Sequence, residues 1–137
     1  MLLPEVARYL HDNSIGTIGT NIFKAFVPDS PHTCITVYSY PGSAPSNVFG
    51  SSNAAWEQPR FQIVCRSSEY STADKKARDV WNLLNNVTNI TLKPSTAATG
   101  CLYLRIEPLQ SPFDLGDDDN GRSRIVCNYE AMKGVST

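Results

Sequence analysis

The chain has 137 residues, 41% apolar and 18% charged, which matches one globular domain with one hydrophobic core, and nine prolines with eight glycines predict strands joined by ordered turns. A formal net charge of −1 excludes a general grip on nucleic-acid backbones, since counterion release needs a basic surface. No apolar run approaches the length that spans a bilayer as a helix, so no membrane partner is expected.

Leu2, Leu3, Val6, Tyr9 and Leu10 recur at helical spacing, with Pro4 in a first turn where its missing N–H costs nothing, and this predicts a helix ending near Asn13 to Gly16. The same segment lacks a basic n-region and a small-residue cleavage site, so synthesis and folding in a cytoplasm are expected. Asn21 to Val27 and Thr33 to Tyr40 read as strands, and the turn formers Pro28, Asp29, Ser30 and Pro31 between them predict a hairpin. From Pro41 to Pro59 the composition shifts to Gly, Ser, Pro, Asn and Ala, which predicts a long loop or arm. Phe49 and Trp56 stand out in that polar stretch as apolar anchors for a neighbouring subunit.

The next strand alternates Phe61, Ile63 and Cys65 with Arg60, Gln62, Val64 and Arg66, whose polar face is expected to meet solvent or another subunit. A helix follows Tyr70, with Ser71 and Asp74 at capping-box spacing and Ala73, Ala77, Val80, Trp81, Leu84 and Val87 as its apolar stripe. A short strand to Lys93, a strand over Gly100 to Leu109 and a last one over Arg124 to Met132 complete the chain. The order predicts an α+β fold: a single domain over residues 1–137, a mainly antiparallel sheet of about five strands, two helices packed on one face, and a long loop or arm between strands.

Catalytic chemistry is hard to find. Only His11 and His32 could act as acid–base groups near neutrality, and no nucleophile elbow, zinc-binding, phosphate-loop or dinucleotide motif occurs. Cys34, Cys65, Cys101 and Cys127 stand far apart inside predicted strands and read as buried free thiols. Asp114, Asp117, Asp118 and Asp119 cluster before Asn120 and Gly121. A calcium loop with Gly121 at its sixth position would need ligands from Gly116 and Cys127, which supply no carboxylate, so the pair Asn120–Gly121 reads as a hairpin turn. No catalytic, cofactor or metal residue is predicted.

Two blocks resemble a known family. Glu57 to Tyr70, a proline-led strand ending in Arg and leading into an amphipathic helix, and Tyr103 to Glu130, with its acidic loop closing on Gly121–Arg122, are similar to minor capsid and tail-terminator proteins of tailed bacteriophages. The resemblance implies a structural, non-enzymatic virion protein that forms a hexameric ring, caps the tail tube and joins it to a head-completion or connector protein in the neck. DNA would pass through that ring without specific binding, and assembly would take place in the host cytoplasm. No cofactor is implied. The interface residues expected on this reading are Phe49, Trp56, Arg60, Arg66, Asp117, Asp118, Asp119 and Arg122. A head-completion or tail-tube subunit is the nearest alternative, followed by a host-side binding module and a small metal-dependent hydrolase or nuclease using the aspartates.

Overall fold

The computed structural model describes residues 2–47, 54–95 and 98–134. Helix α1 (Leu2–Asp12) buries Val6, Ala7 and Leu10, the inner side of the apolar stripe. Strand β1 (Ile22–Lys24) follows, then β2 (Cys34–Asn47), β3 (Ala54–Ser67), helix α2 (Tyr70–Leu84), β4 (Val87–Leu92), β5 (Cys101–Pro108), β6 (Phe113–Asp117) and β7 (Ser123–Gly134). The seven strands form one sheet in the order β1-β2-β3-β7-β5-β4, with β6 also paired to β7. One long edge of β7 is covered by β3. The other seats two strands end to end, β6 along Ser123 to Val126 and β5 along Tyr129 to Lys133.

The fold is mostly sheet, and its strands number seven where about five were expected. β6 was missed because Phe113, Asp114 and Leu115 are all exposed, so it lacks the buried–exposed alternation that marks a strand. The predicted hairpin of the first two strands is also corrected: β1 runs parallel to β2, Ile22 opposite Ile35 and Lys24 opposite Val37. The nine residues Ala25 to Thr33 return the chain to the starting end of the sheet instead of turning it directly back. The expected loop over residues 41–59 is largely strand, since β2 and β3 pair antiparallel from Cys34–Arg66 out to Asn47–Ala54, with register shifts beyond Tyr40. Those irregularities let Gly, Pro and Ser occupy a ladder that their propensities disfavour. Gly42 is required there, because a Cβ would stand 2.0 Å from the carbonyl oxygen of Gln58.

Both helices cover the same sheet face, α1 against β1, β2 and β4, and α2 against β3, β5 and β7. Phe61, Ile63 and Cys65 of β3 and Ile125, Cys127, Tyr129 and Ala131 of β7 point into that core, and the rings of Phe61 and Tyr129 stack 5.3 Å apart. The stripe of α2 buries Ala73, Ala77, Val80 and Leu84, while Trp81 is half-buried and Val87 belongs to β4. Ser71 and Asp74 do not form the capping box. The helix starts two residues earlier, with Glu69 as its N-cap, and Ser67 Oγ accepts the Glu69 N–H at 3.2 Å.

Inside the core sits an ion pair. Lys133 Nζ donates to Glu5 Oε1 at 3.0 Å and the Tyr103 hydroxyl donates to the same oxygen at 2.8 Å, with both charged side chains 4% exposed or less. Burial alone would depress the Lys133 ammonium, but the bond to Glu5 outweighs it and the net shift is upward. Three of the four free cysteines are buried as expected, Cys101 being half-buried, and burial pushes the Cys65 thiol up to about 12.

Candidate functional site

On the sheet face turned away from the helices, the middle strands present Thr36, Tyr38, Gln62, Val64 and Asn128, the alternate positions to the core residues. Gln62 Nε2 donates to Asn128 Oδ1 at 2.9 Å across β3 and β7. Beside this strip lies a groove of about 440 Å³. One wall is the segment after β1, which brings Val27. The other is β6 and the β6–β7 turn, which bring Leu115. Val27 and Leu115, one on each wall, are 36% and 47% exposed, large apolar side chains left bare at the groove.

Two buried arginines hold these walls. Arg66 points outward from β3, yet its Nη2 donates to the carbonyls of Pro31 (2.6 Å), Pro28 (2.8 Å) and Asp29 (3.4 Å), and its Nε to that of His32 (3.2 Å). Arg122 joins the two walls. Its Nε donates to Asp118 Oδ2 at 2.7 Å, its Nη2 to Asp29 Oδ1 at 3.2 Å, and its Nη1 to the Asp29 carbonyl. A planar guanidinium is suited to this task, since its five donors reach several acceptors from one rigid fork.

The acidic segment is thus divided in role. Asp118 Oδ1 accepts the backbone N–H groups of Arg122 (2.9 Å) and Asn120 (3.0 Å), closing the turn that Asn120 and Gly121 announce, with Gly121 at φ 74°. Burial raises the Asp118 pKa, but the hydrogen bonds from Arg122 and Asn120 outweigh it and hold the carboxyl below its ordinary 3.8. Asp114 Oδ1 accepts the N–H of Gly116 at 2.8 Å, where the strand bulges. Asp117 meets the Ser123 hydroxyl at 3.3 Å, and Asp117, Asp119 and Asp114 are exposed.

Of the other expected interface residues, Arg60 is on the open face and donates to Glu130 at 2.9 Å, and Arg105 reaches the same carboxylate at 3.4 Å. Trp56 is half-buried opposite Gly134, and Phe49 lies outside the described residues. The structure brings Arg66, Arg122 and Asp118 together and leaves Arg60 and Trp56 farther along β3. Sequence reading missed Asp29, Val27 and Leu115. Asp29 carried a signal, since it stands in a proline-flanked turn, but nothing local pointed to its partner 93 positions away.

Comparison with known proteins agrees with this architecture. A family model described as bacteriophage tail terminator protein matches residues 9–133. No curated protein sequence matches the chain significantly. Among solved structures, a chain from the "Virion of native gene transfer agent (GTA) particle" is 17% identical and superposes with a TM-score of 0.65, covering 98% of this chain and 95% of that one. A second solved chain, 10% identical, gives a TM-score of 0.55 over 97% of this chain and 90% of the other. At these identities the two structures establish a shared fold.

Proposed function

The chain belongs to the bacteriophage tail terminator family, whose members are structural and non-enzymatic, and from this premise we propose that it forms a hexameric ring that caps the tail tube and joins it to a head-completion or connector protein. The observation that carries the reading is the family match, which runs from the last turn of α1 to the next-to-last residue of β7. The likeness to a chain of a gene-transfer-agent virion supports a place in an assembled particle, and on our reading that place is the neck, with assembly in the host cytoplasm. The whole chain acts as one tail-terminator unit and needs no cofactor.

A ring requires head-to-tail contacts between two different surfaces of each subunit. The hairpin of β2 and β3, with Phe49 and Trp56, supplies one surface. Arg60, on the open face, adds a polar rim contact, whereas Arg66, Arg122 and Asp118 serve the interface by holding the groove's walls in place. Asp114, Asp117 and Asp119 line the channel through which DNA passes, where their charge keeps phosphates from adhering.

Electron microscopy of the purified protein, alone and mixed with isolated tail tubes, tests the proposal. Sixfold rings, free or seated on tube ends, are expected. A strict monomer with no tube-end density, together with absence from purified virions, refutes it.

A further inference from the structure

The groove lies toward one end of β2 and β3, and Asn47 and Ala54, between which residues 48–53 run, lie at the other. Groove positions are Thr36 and Tyr38 on β2 and Gln62 to Arg66 on β3, whereas the tip joins Asn47 to Ala54. On β3 eight residue steps separate Gln62, the partner of Tyr38, from Ala54, the partner of Asn47, up to about 26 Å at about 3.3 Å per residue. The six residues between the strands span at most about 20 Å even when fully extended, and both their ends are anchored. A subunit's tip therefore cannot fill its own groove.

The chemistry of the two surfaces is matched. From Pro41 to Trp56 there is no charged residue, and the tip carries the adjacent apolar pair Val48 and Phe49. Around the groove each guanidinium is already engaged by its own chain: Arg66 by carbonyls, Arg122 by Asp29 and Asp118, and Arg124 by the carbonyls of Gly116 and Asp117 at 3.3 and 3.2 Å. An anionic guest would have to compete with those bonds. An uncharged, partly apolar segment would not, and it would cover Val27 and Leu115, which are 36% and 47% exposed. The volume suits one aromatic side chain with its neighbours.

We infer that the uncharged segment of residues 48–53 of one subunit, with Phe49 as its aromatic side chain, docks in the groove between Val27 and Leu115 of the next. This rests on the ring reading for its occupant, a second copy of the chain. A contact of this kind uses two different surfaces of the chain and is therefore head to tail, the type that a closed ring requires.

Full-length variants test the inference. Leu115→Arg and, independently, Val27→Glu spoil the groove but not the tip, and Phe49→Ser spoils the tip but not the groove. Each alone is expected to raise the concentration needed for assembly at least tenfold, with the melting temperature of the monomer unchanged. Mixing Leu115→Arg with Phe49→Ser should restore one contact per pair, giving heterodimers and no rings. A fluorescent peptide of residues 43–55 should bind the full-length Phe49→Ser protein and fail to bind when Leu115→Arg is added. If the wild type forms no rings but the peptide binds in this way, the docking inference stands and the ring reading falls. If both groove variants form rings as the wild type does, the inference is overturned and the ring reading survives. Rings that form normally in Leu115→Arg but no longer seat on tail tubes assign the groove to the tube protein and also overturn it.

Discussion

Asp118 behaves differently from the three carboxylates around it, and the difference is measurable. Its pKa is lowered in the folded protein, so its contribution to stability is complete above the unfolded value of about 3.8 and is lost as pH falls through the lowered folded value. Asp118→Asn should be less stable than the wild type at pH 7, and the gap between the two should narrow as pH drops below 3.8. Urea unfolding at a series of pH values reads this directly, and a constant gap would show that the carboxylate's charge is immaterial. The Glu5–Lys133 pair makes a second test. Lys133→Met removes a buried ammonium that donates to Glu5 and should cost about 1–3 kcal/mol, a sizeable share of the roughly 5–15 kcal/mol that a small domain possesses. Adding Glu5→Leu should recover part of that loss. Recovery stays incomplete because the Tyr103 hydroxyl then loses its acceptor, a penalty of about 1–3 kcal/mol.

Helix α2 takes Glu69 as its N-cap with no side-chain cap hydrogen bond, two residues before the Ser71 that the capping-box spacing marks. Ser71 is exposed within the first turn, whereas Ser67 is 2% exposed, accepts the Glu69 N–H and meets the Thr33 hydroxyl at 3.1 Å. Ser67→Ala should therefore destabilise the protein by about 1 kcal/mol, and Ser71→Ala should change stability by less than about 0.5 kcal/mol. Thermal melts of the two variants decide it, and equal effects would show that the Ser67 contacts contribute no more than an exposed serine in the first turn. The capping-box spacing misleads because Ser-x-x-Asp is a local pattern, while the helix start is set by where β3 releases the chain at Ser67.

At the scale of the whole molecule, the open face and the acidic turn are what a ring has available for contact and for conduction. Changing Asp117 and Asp119 together to Asn should leave the fold intact, because neither carboxylate holds a wall of the groove as Asp118 does. If these residues line the channel, particles assembled with the double variant should release DNA more slowly, as less negative charge repels the phosphates. Ejection kinetics equal to the wild type would place the turn outside the channel. Asp118 must be kept in that experiment, since its loss would confuse a change in conduction with loosening of the turn.

How much of this was legible beforehand depends on how far each feature reaches along the chain. The stripe of α1, the alternation of Phe61, Ile63 and Cys65 and the Asn120–Gly121 turn are determined by the sequence, because each is a periodicity or a turn geometry completed within a dozen residues. The parallel placement of β1, the extension of β2 and β3 through a segment of poor strand formers, and the seating of β6 on β7 were decided only by the tertiary structure. A strand's partner is chosen by what lies beside it in space, and here two arginines far along the chain hold the Pro28–His32 segment where the parallel pairing needs it. The same holds for the core ion pair. Glu5 and Lys133 are 128 positions apart, and a charged residue in an apolar pattern reads as solvent-facing until folding supplies its counterpart.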